Sequence, residues 1–146
     1  MGVEENARVV RRYLEVAWGK GDLAAVDETC SPLVEMYSPG GSEPRRGIDQ
    51  IKGLIAFVRG VFPDFCVRVD ETIAEGSGVA ARWSDSGTQK GEWQSGIPPT
   101  GRGVSWTGMS MYRLIEGRIV EERFEEDLLH LQLRLGLIVE AKPSGP

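Results

Sequence analysis

Histidine and cysteine are almost missing from this chain: His130 is the single histidine, and Cys30 and Cys66 are the two cysteines. One histidine can neither assemble a metal site nor complete a nucleophilic triad. The cysteines form no CxxC pair, so the expected state is a cytoplasmic protein with free thiols, each in a buried structural role. Long apolar runs are lacking too, and a stretch such as Leu54–Val58 falls far short of a membrane span. The start, MGVEENARVV, has no basic segment followed by an apolar one, and Asn6 stands where a myristoylation signal carries Ser or Thr. Positive charge is in deficit: 17 Lys+Arg face 22 Asp+Glu, and the densest basic pairs are Arg11/Arg12 and Arg45/Arg46. That spread argues against a nucleic-acid surface. The glycine-rich stretches GGSEPRRG and EGSGV lack the strand-to-helix setting of a phosphate-binding loop, so no nucleotide, cofactor or metal is expected.

What is present is an ordinary globular composition, 40% hydrophobic and 27% charged over 146 residues. The chain is expected to form one domain over residues 1–140, followed by a frayed tail over 141–146. Val3, Ala7, Val10, Leu14, Ala17 and Trp18 recur at helical spacing, predicting an amphipathic helix that ends at Gly19 and Gly21. Asp22 is placed to cap a short helix from Leu23 to Thr29, and Leu33–Ser38 reads as a strand. Pro39–Gly47 is a loop. Ile48, Ile51, Ile55, Val58 and Phe62 step by three and four, giving a helix over 48–61 that Pro63 terminates. Phe65, Val67 and Val69 alternate with polar residues, as a half-buried strand does. Further strands are expected from Val79 to Thr88, from Val104 to Leu114 and from Arg118 to Glu126, the last two joined at Glu116-Gly117. Asp127 would cap a closing helix that Gly136 ends. Helices first and antiparallel strands afterwards argue for an α+β fold in which helices cover one face of a curved sheet. The interior of such a cone is the natural ligand site.

A family resemblance emerges from several of these stretches together. They are Arg12-Tyr13-Leu14, Gly21-Asp22-Leu23, Val61-Phe62-Pro63-Asp64, Ala81-Arg82-Trp83 with Gly87-Thr88, GIPPTGR over 96–102, and Tyr112-Arg113 with Gly117-Arg118-Ile119-Val120-Glu121-Glu122. In combination they resemble the SnoaL-like polyketide cyclases, within the superfamily of nuclear transport factor 2-like and ketosteroid isomerase-like cones. The likeness spans about residues 5–138. It implies a cone-shaped α+β fold, a small-molecule substrate and a homodimer, with Thr107, Met109 and Met111 on the outer sheet face for pairing. Aldol-type members use an aspartate on the last strand with a histidine on the preceding one; the matching positions here are Phe124 and Ser110. Ketosteroid isomerases use a base aspartate, a tyrosine and a protonated aspartic acid, and these positions fall on Ser38, Tyr13 and Ser110. Only the tyrosine is kept, and Phe124 cannot move a proton.

The candidate catalytic residues are therefore Tyr13, Ser110, Arg82 and Glu122. The Tyr13 phenol could donate to a carbonyl or enolate oxygen, or serve as a core aromatic with its hydroxyl satisfied. Ser110 shares a strand face with Trp106, Gly108 and Tyr112, which suits either ligand orientation or a plain core. Arg82, Ser84, Ser86 and Thr88 share one face of their strand, which either meets solvent or lines the lumen. Glu122 shares a face with Phe124 and Glu126; one of these carboxylates can enter the pocket, where burial would raise its pKa, or the run can be a solvated edge. Trp18, Met36, Tyr37, Ser38, Phe57, Ser84, Trp106, Gly108, Tyr112 and Phe124 are expected to shape the substrate cavity.

The reading that follows is a cyclase or isomerase acting on an apolar polyketide-type or terpenoid-type substrate, with ring closure driven largely by the shape of the cavity. Hydrolysis such as epoxide opening is an alternative, and it needs Glu35, Glu122 or Asp85 to converge with Arg82. A non-catalytic binding or dimerisation module is a third reading, since fold alone does not separate carriers from enzymes.

Overall fold

The computed structural model of the protein describes residues 2–41 and 43–143. Among these residues four α-helices and six strands follow in the order α1 (Val3–Arg12), α2 (Ala24–Thr29), β1 (Cys30–Tyr37), β2 (Arg45–Arg46), α3 (Ile48–Val61), β3 (Cys66–Glu75), β4 (Gly78–Thr88), β5 (Gly103–Ile115), β6 (Arg118–Glu126) and α4 (Leu128–Leu135). The first helix does not stop at Arg12: it continues over Tyr13–Trp18 in wider π-helical turns. Ala141, Lys142 and Pro143 are exposed without regular structure, and the rest of the expected tail lies outside the described residues, as does Ser42.

The strands form one open sheet in the order β2-β1-β6-β5-β4-β3. Neighbours are antiparallel except β1 and β6, which run parallel, with Met36 opposite Glu122. The purely antiparallel expectation is corrected at that pairing, which joins strands that are far apart in sequence. Strict alternation on β4 and β5 puts Val79, Ala81, Trp83, Asp85, Trp106, Ser110 and Tyr112 on the inner face. Register shifts at Asp70 in β3 and at Val120 in β6 bend the sheet around the helices. The β5–β6 hairpin turns at Glu116 and Gly117, whose φ of 50° and 74° suit the left-handed geometry of a tight hairpin.

The core lies between this concave face and the helices. Val10, Tyr13, Leu14 and Ala17 come from the first helix, Ile51 and Ile55 from α3, and Leu131 and Leu135 from α4. Arg59 ties the layers together, donating from Nη1 to the carbonyls of Trp18 (3.0 Å) and Phe65 (2.8 Å). Those bonds satisfy a carbonyl at the end of the first helix that has no partner within it. Asp127 caps α4 by accepting from the His130 amide at 2.9 Å, and Gly136 ends it at φ 75°. The loop from Gln89 to Arg102 is pinned to the end of α3 by bonds from the amides of Lys90 and Gly91 to the Val61 carbonyl. Gln89, fully buried, accepts from the backbone and side chain of Thr100. Cys30 is buried as expected, but Cys66 is exposed, because it falls on the outward parity of β3. Among the described residues no helix is long and apolar enough to cross a membrane.

Candidate active site

A cavity of about 320 Å³ opens between the inner sheet face and the helices. All four tryptophans of the chain, Trp18, Trp83, Trp93 and Trp106, line it. Its aromatic lining is continuous: Trp93 meets Phe62 edge-on at 5.9 Å, Phe62 lies 5.3 Å from Trp106, and Phe65 bridges Trp106 and Trp18 at 6.0 and 6.3 Å. Leu14, Leu54, Phe57 and Val58 complete an apolar wall from the helical side. Polar groups are few. Glu122, Glu126 and Asp85 come from the sheet, and Ser38 and Arg45 stand at the β1–β2 edge, where Arg45 Nη1 donates to Ser38 Oγ at 3.0 Å.

Glu122 sits at the end of a directed chain of hydrogen bonds. The Trp83 indole donates to Ser110 Oγ (2.9 Å), Ser110 donates to the Tyr112 hydroxyl (2.9 Å), and Tyr112 donates to Glu122 Oε2 (2.8 Å). From the helical side, the Tyr13 hydroxyl donates to Glu122 Oε1 at 2.7 Å. Tyr13 reaches this point from the first π-helical residue, and its ring meets Tyr112 edge-on at 6.0 Å. Burial drives the Glu122 pKa up from 4.5 to about 7, while the two phenol bonds hold it back. Both tyrosine hydroxyls are pushed well above 10.0, first by burial and then by the Glu122 charge. The Trp18 indole N–H is buried and, among the described residues, meets no acceptor in good hydrogen-bond geometry. It still acts on the Tyr13 hydroxyl, opposing the upward shift of that group. Trp18 and Glu122 therefore flank the same hydroxyl.

Asp85 and Glu126 form a second acidic place. Asp85 lies opposite Trp106 across the β4–β5 pairing, and Glu126 lies opposite Gly108 across β5–β6, so the two carboxyls flank β5. Asp85 is 6% exposed, and its Oδ1 has no hydrogen-bond partner among the described residues. Burial, and then the charge of Glu126, raise its pKa well above 3.8. Burial likewise raises Glu126, and its one indole donor, Trp106 Nε1 at 3.4 Å from Oε2, opposes this only weakly.

The family model of the SnoaL-like polyketide cyclases matches residues 7–135. The chain belongs to this family. Among curated proteins no sequence relative matches it. A protein from Jannaschia sp. CCS1, assigned as a SnoaL-like polyketide cyclase, is similar over 93% of this chain and 94% of its own, with 25% identity and a TM-score of 0.83. IdmH from Streptomyces antibioticus, assigned as a polyketide cyclase, is 29% identical over 90% of this chain and 98% of its own, with a TM-score of 0.80. AclR from Streptomyces galilaeus, assigned as a hydroxylase, is 27% identical over 97% of this chain and 87% of its own, also with a TM-score of 0.80.

In this SnoaL-like chain the residues singled out from sequence fall into three groups. Trp18, Ser38, Phe57, Trp106, Phe124 and Glu122 line the cavity. Met36, Tyr13, Ser110 and Tyr112 are buried in the layer behind it. The protons of the Tyr13 and Ser110 hydroxyls are committed to Glu122 and Tyr112. Gly108 faces the Trp83 ring, and a Cβ there would collide with it. The third group points elsewhere. Arg82 is half exposed on the outer face, 3.8 Å from Asp70 and 3.6 Å from Glu71, and Ser84 donates to Asp70 at 2.6 Å. Both belong to the outward parity of β4, whose inward positions are taken by Trp83 and Asp85. Tyr37 lies under the Arg123 guanidinium, 3.9 Å from its ring centre, and donates to Glu35 at 2.9 Å. Glu35 also lies 3.8 Å from Arg46, so Glu35, Asp85 and Arg82 do not converge on one water as hydrolysis requires. Phe62, Trp93, Arg45 and the inward position of Glu126 complete the site. Asp85 was detectable through its shared parity with Trp83; Trp93, on an irregular loop, gave no periodic signal.

Proposed function

We propose that this protein is a small-molecule cyclase or isomerase that binds an apolar, carbonyl-bearing polyketide-type substrate in the cone and enolises it with Glu122 as general base. The observation that carries this reading is the buried Glu122 carboxylate, on the cavity wall and clamped by the hydroxyls of Tyr13 and Tyr112. With a pKa near 7 it is ionised in a large fraction of molecules at neutral pH and is still basic enough to take a proton from carbon. Its phenol donors stabilise the charged form without consuming the remaining lone pairs of the carboxylate. Glu122 takes the proton from the carbon next to the carbonyl, and the electron pair moves onto the carbonyl oxygen. The aromatic lining then holds the flexible chain folded, so that the enolate carbon meets a second electrophilic carbon of the same molecule.

This reading accounts for the replacement of the family's usual pair. Ser110 and Phe124 face one another across β5–β6, and Glu122 is the next inward residue of β6, about 7 Å along the strand. The base is moved along the same wall rather than lost.

Hydrogen–deuterium exchange next to the carbonyl of 4-phenyl-2-butanone, followed by proton NMR in deuterated buffer, tests the base directly. Catalysed exchange is expected in the wild type, with Glu122→Gln slower by about 100-fold or more. Equal exchange in a folded Glu122→Gln variant would sink the assignment. Binding of the ketone without any exchange would make the chain a carrier. The homodimer is part of the same proposal: Ile73, Met109, Met111 and Ile115 are exposed, each between 59% and 65%, on the outer sheet face. Light scattering that shows a monomer at micromolar concentration would remove it.

A further inference from the structure

The mechanism above uses Glu122 and leaves the second acidic place of the cavity without a task. Two carboxyls flank one strand there, inside an aromatic lining, and Asp85 Oδ1 has no partner among the described residues although the residue is only 6% exposed. The cost of that arrangement is large. A buried carboxylate needs a counter-charge or several donors, and a second carboxylate beside it adds repulsion. Among the described residues there is one weak donor, the Trp106 indole, and it goes to Glu126. Among the described residues Arg45 is the one basic side chain lining the cavity, and it sits at the β1–β2 edge, across the sheet from β4. Residues 84 and 86, serines that could have served as donors, point outward on β4.

We infer that the region around Asp85 and Glu126 binds the protonated amine of a substrate, so that this cyclase acts on a polyketide-type molecule carrying a basic nitrogen. The inference rests on the cone being the substrate cavity. An ammonium group brings the three N–H donors and the positive charge that the two carboxyls lack. Phe62, Phe65 and Trp106, packed with ring centres 5.3 to 6.0 Å apart beside them, offer aromatic surface that attracts a cation once water is excluded. With Arg45 and Ser38 at the other edge, the cavity is polarised, and a substrate with its nitrogen at Asp85 enters in one orientation.

Two probes of nearly equal shape test this: 4-phenylbutylamine and 4-phenyl-1-butanol, titrated near pH 8, where an alkylamine is still protonated. Because every tryptophan lines the cavity, intrinsic fluorescence reports binding there, and calorimetry gives the stoichiometry. The amine is expected to bind about tenfold more tightly than the alcohol. Asp85→Asn should bring the two affinities together while leaving that of the alcohol within about twofold, which also shows the cavity to be intact. Glu126→Gln should reduce the preference partly. Equal affinities in the wild type overturn the inference, as does a preference that survives Asp85→Asn but disappears in Glu122→Gln. If the alcohol binds without any preference for the amine, the cavity reading stands and only the inference falls. If neither probe binds, both fall.

Discussion

Two carboxylates on one inner wall, Glu122 and Asp85, are buried to nearly the same degree, 3% and 6% exposed, and live in opposite surroundings. Glu122 receives a hydroxyl on each oxygen, one of them at the end of a chain that begins at Trp83. Asp85 has an oxygen with no partner and Glu126 as a like-charged neighbour. Burial raises both, but for Glu122 the donors limit the rise to about 7, while for Asp85 nothing opposes it. The comparison teaches that burial alone does not assign a role. The donors around a carboxyl decide how far burial lifts its pKa.

The largest effect that can break this comparison is on stability against pH. Glu122 titrates near 4.5 when unfolded and near 7 when folded, so the folded state holds its proton more tightly across that window. Its contribution to stability is complete below about pH 4.5 and is lost as pH rises through 7, a loss on the order of 3 kcal/mol. Urea melts should show that slope in the wild type and a shallower one in Glu122→Gln; parallel slopes would mean that Glu122 titrates normally. Next in size is Tyr13→Phe, which withdraws one of the two donors. It should cost about 1–3 kcal/mol and move the midpoint of the ketone exchange profile to higher pH, whereas a merely structural tyrosine would leave that midpoint in place.

Asp85→Asn sharpens the contrast from the other side. Removing a buried carboxyl that lacks a partner should stabilise the protein by about 1 kcal/mol at pH 8, seen as a higher urea midpoint. A clear loss of stability there would mean that Asp85 is as well supported as Glu122. The smallest effect belongs to Arg82→Ala. Its ion pairs lie on the solvent side, so stability should change by less than about 0.5 kcal/mol, with ketone exchange unaltered.

Local pattern carried most of the fold. The steps of Ile48, Ile51 and Ile55 gave α3 to the residue, and Asp127 and Gly136 bracketed α4 as capping chemistry requires. The parallel β1–β6 pairing was not legible, because no local signal registers strands separated by more than half of the chain. The site divided along the same line. Strand parity set Trp83 and Asp85 against Arg82 and Ser84, although the sequence left open which set met the lumen. Glu122 was harder. The shift at Val120 resets the alternation within β6, and the hydroxyl that donates to Glu122 Oε1, that of Tyr13, is 109 residues away.

The π-helical passage from Tyr13 to Trp18 has a consequence for how the chain tolerates change. A wider turn lodges an extra residue, and each residue of an ordinary helix advances the phase by about 100°. Upstream, α1 buries Val10 against the sheet; downstream, Trp18 is delivered to the cavity. The added residue acts as a phase adjuster, letting both ends of one continuous rod face their own targets. A deletion anywhere in this span that restored regular winding would force a choice between the anchor and the cavity. The helix is in this sense a timing element, and substitutions within it should be far better tolerated than any change in its length.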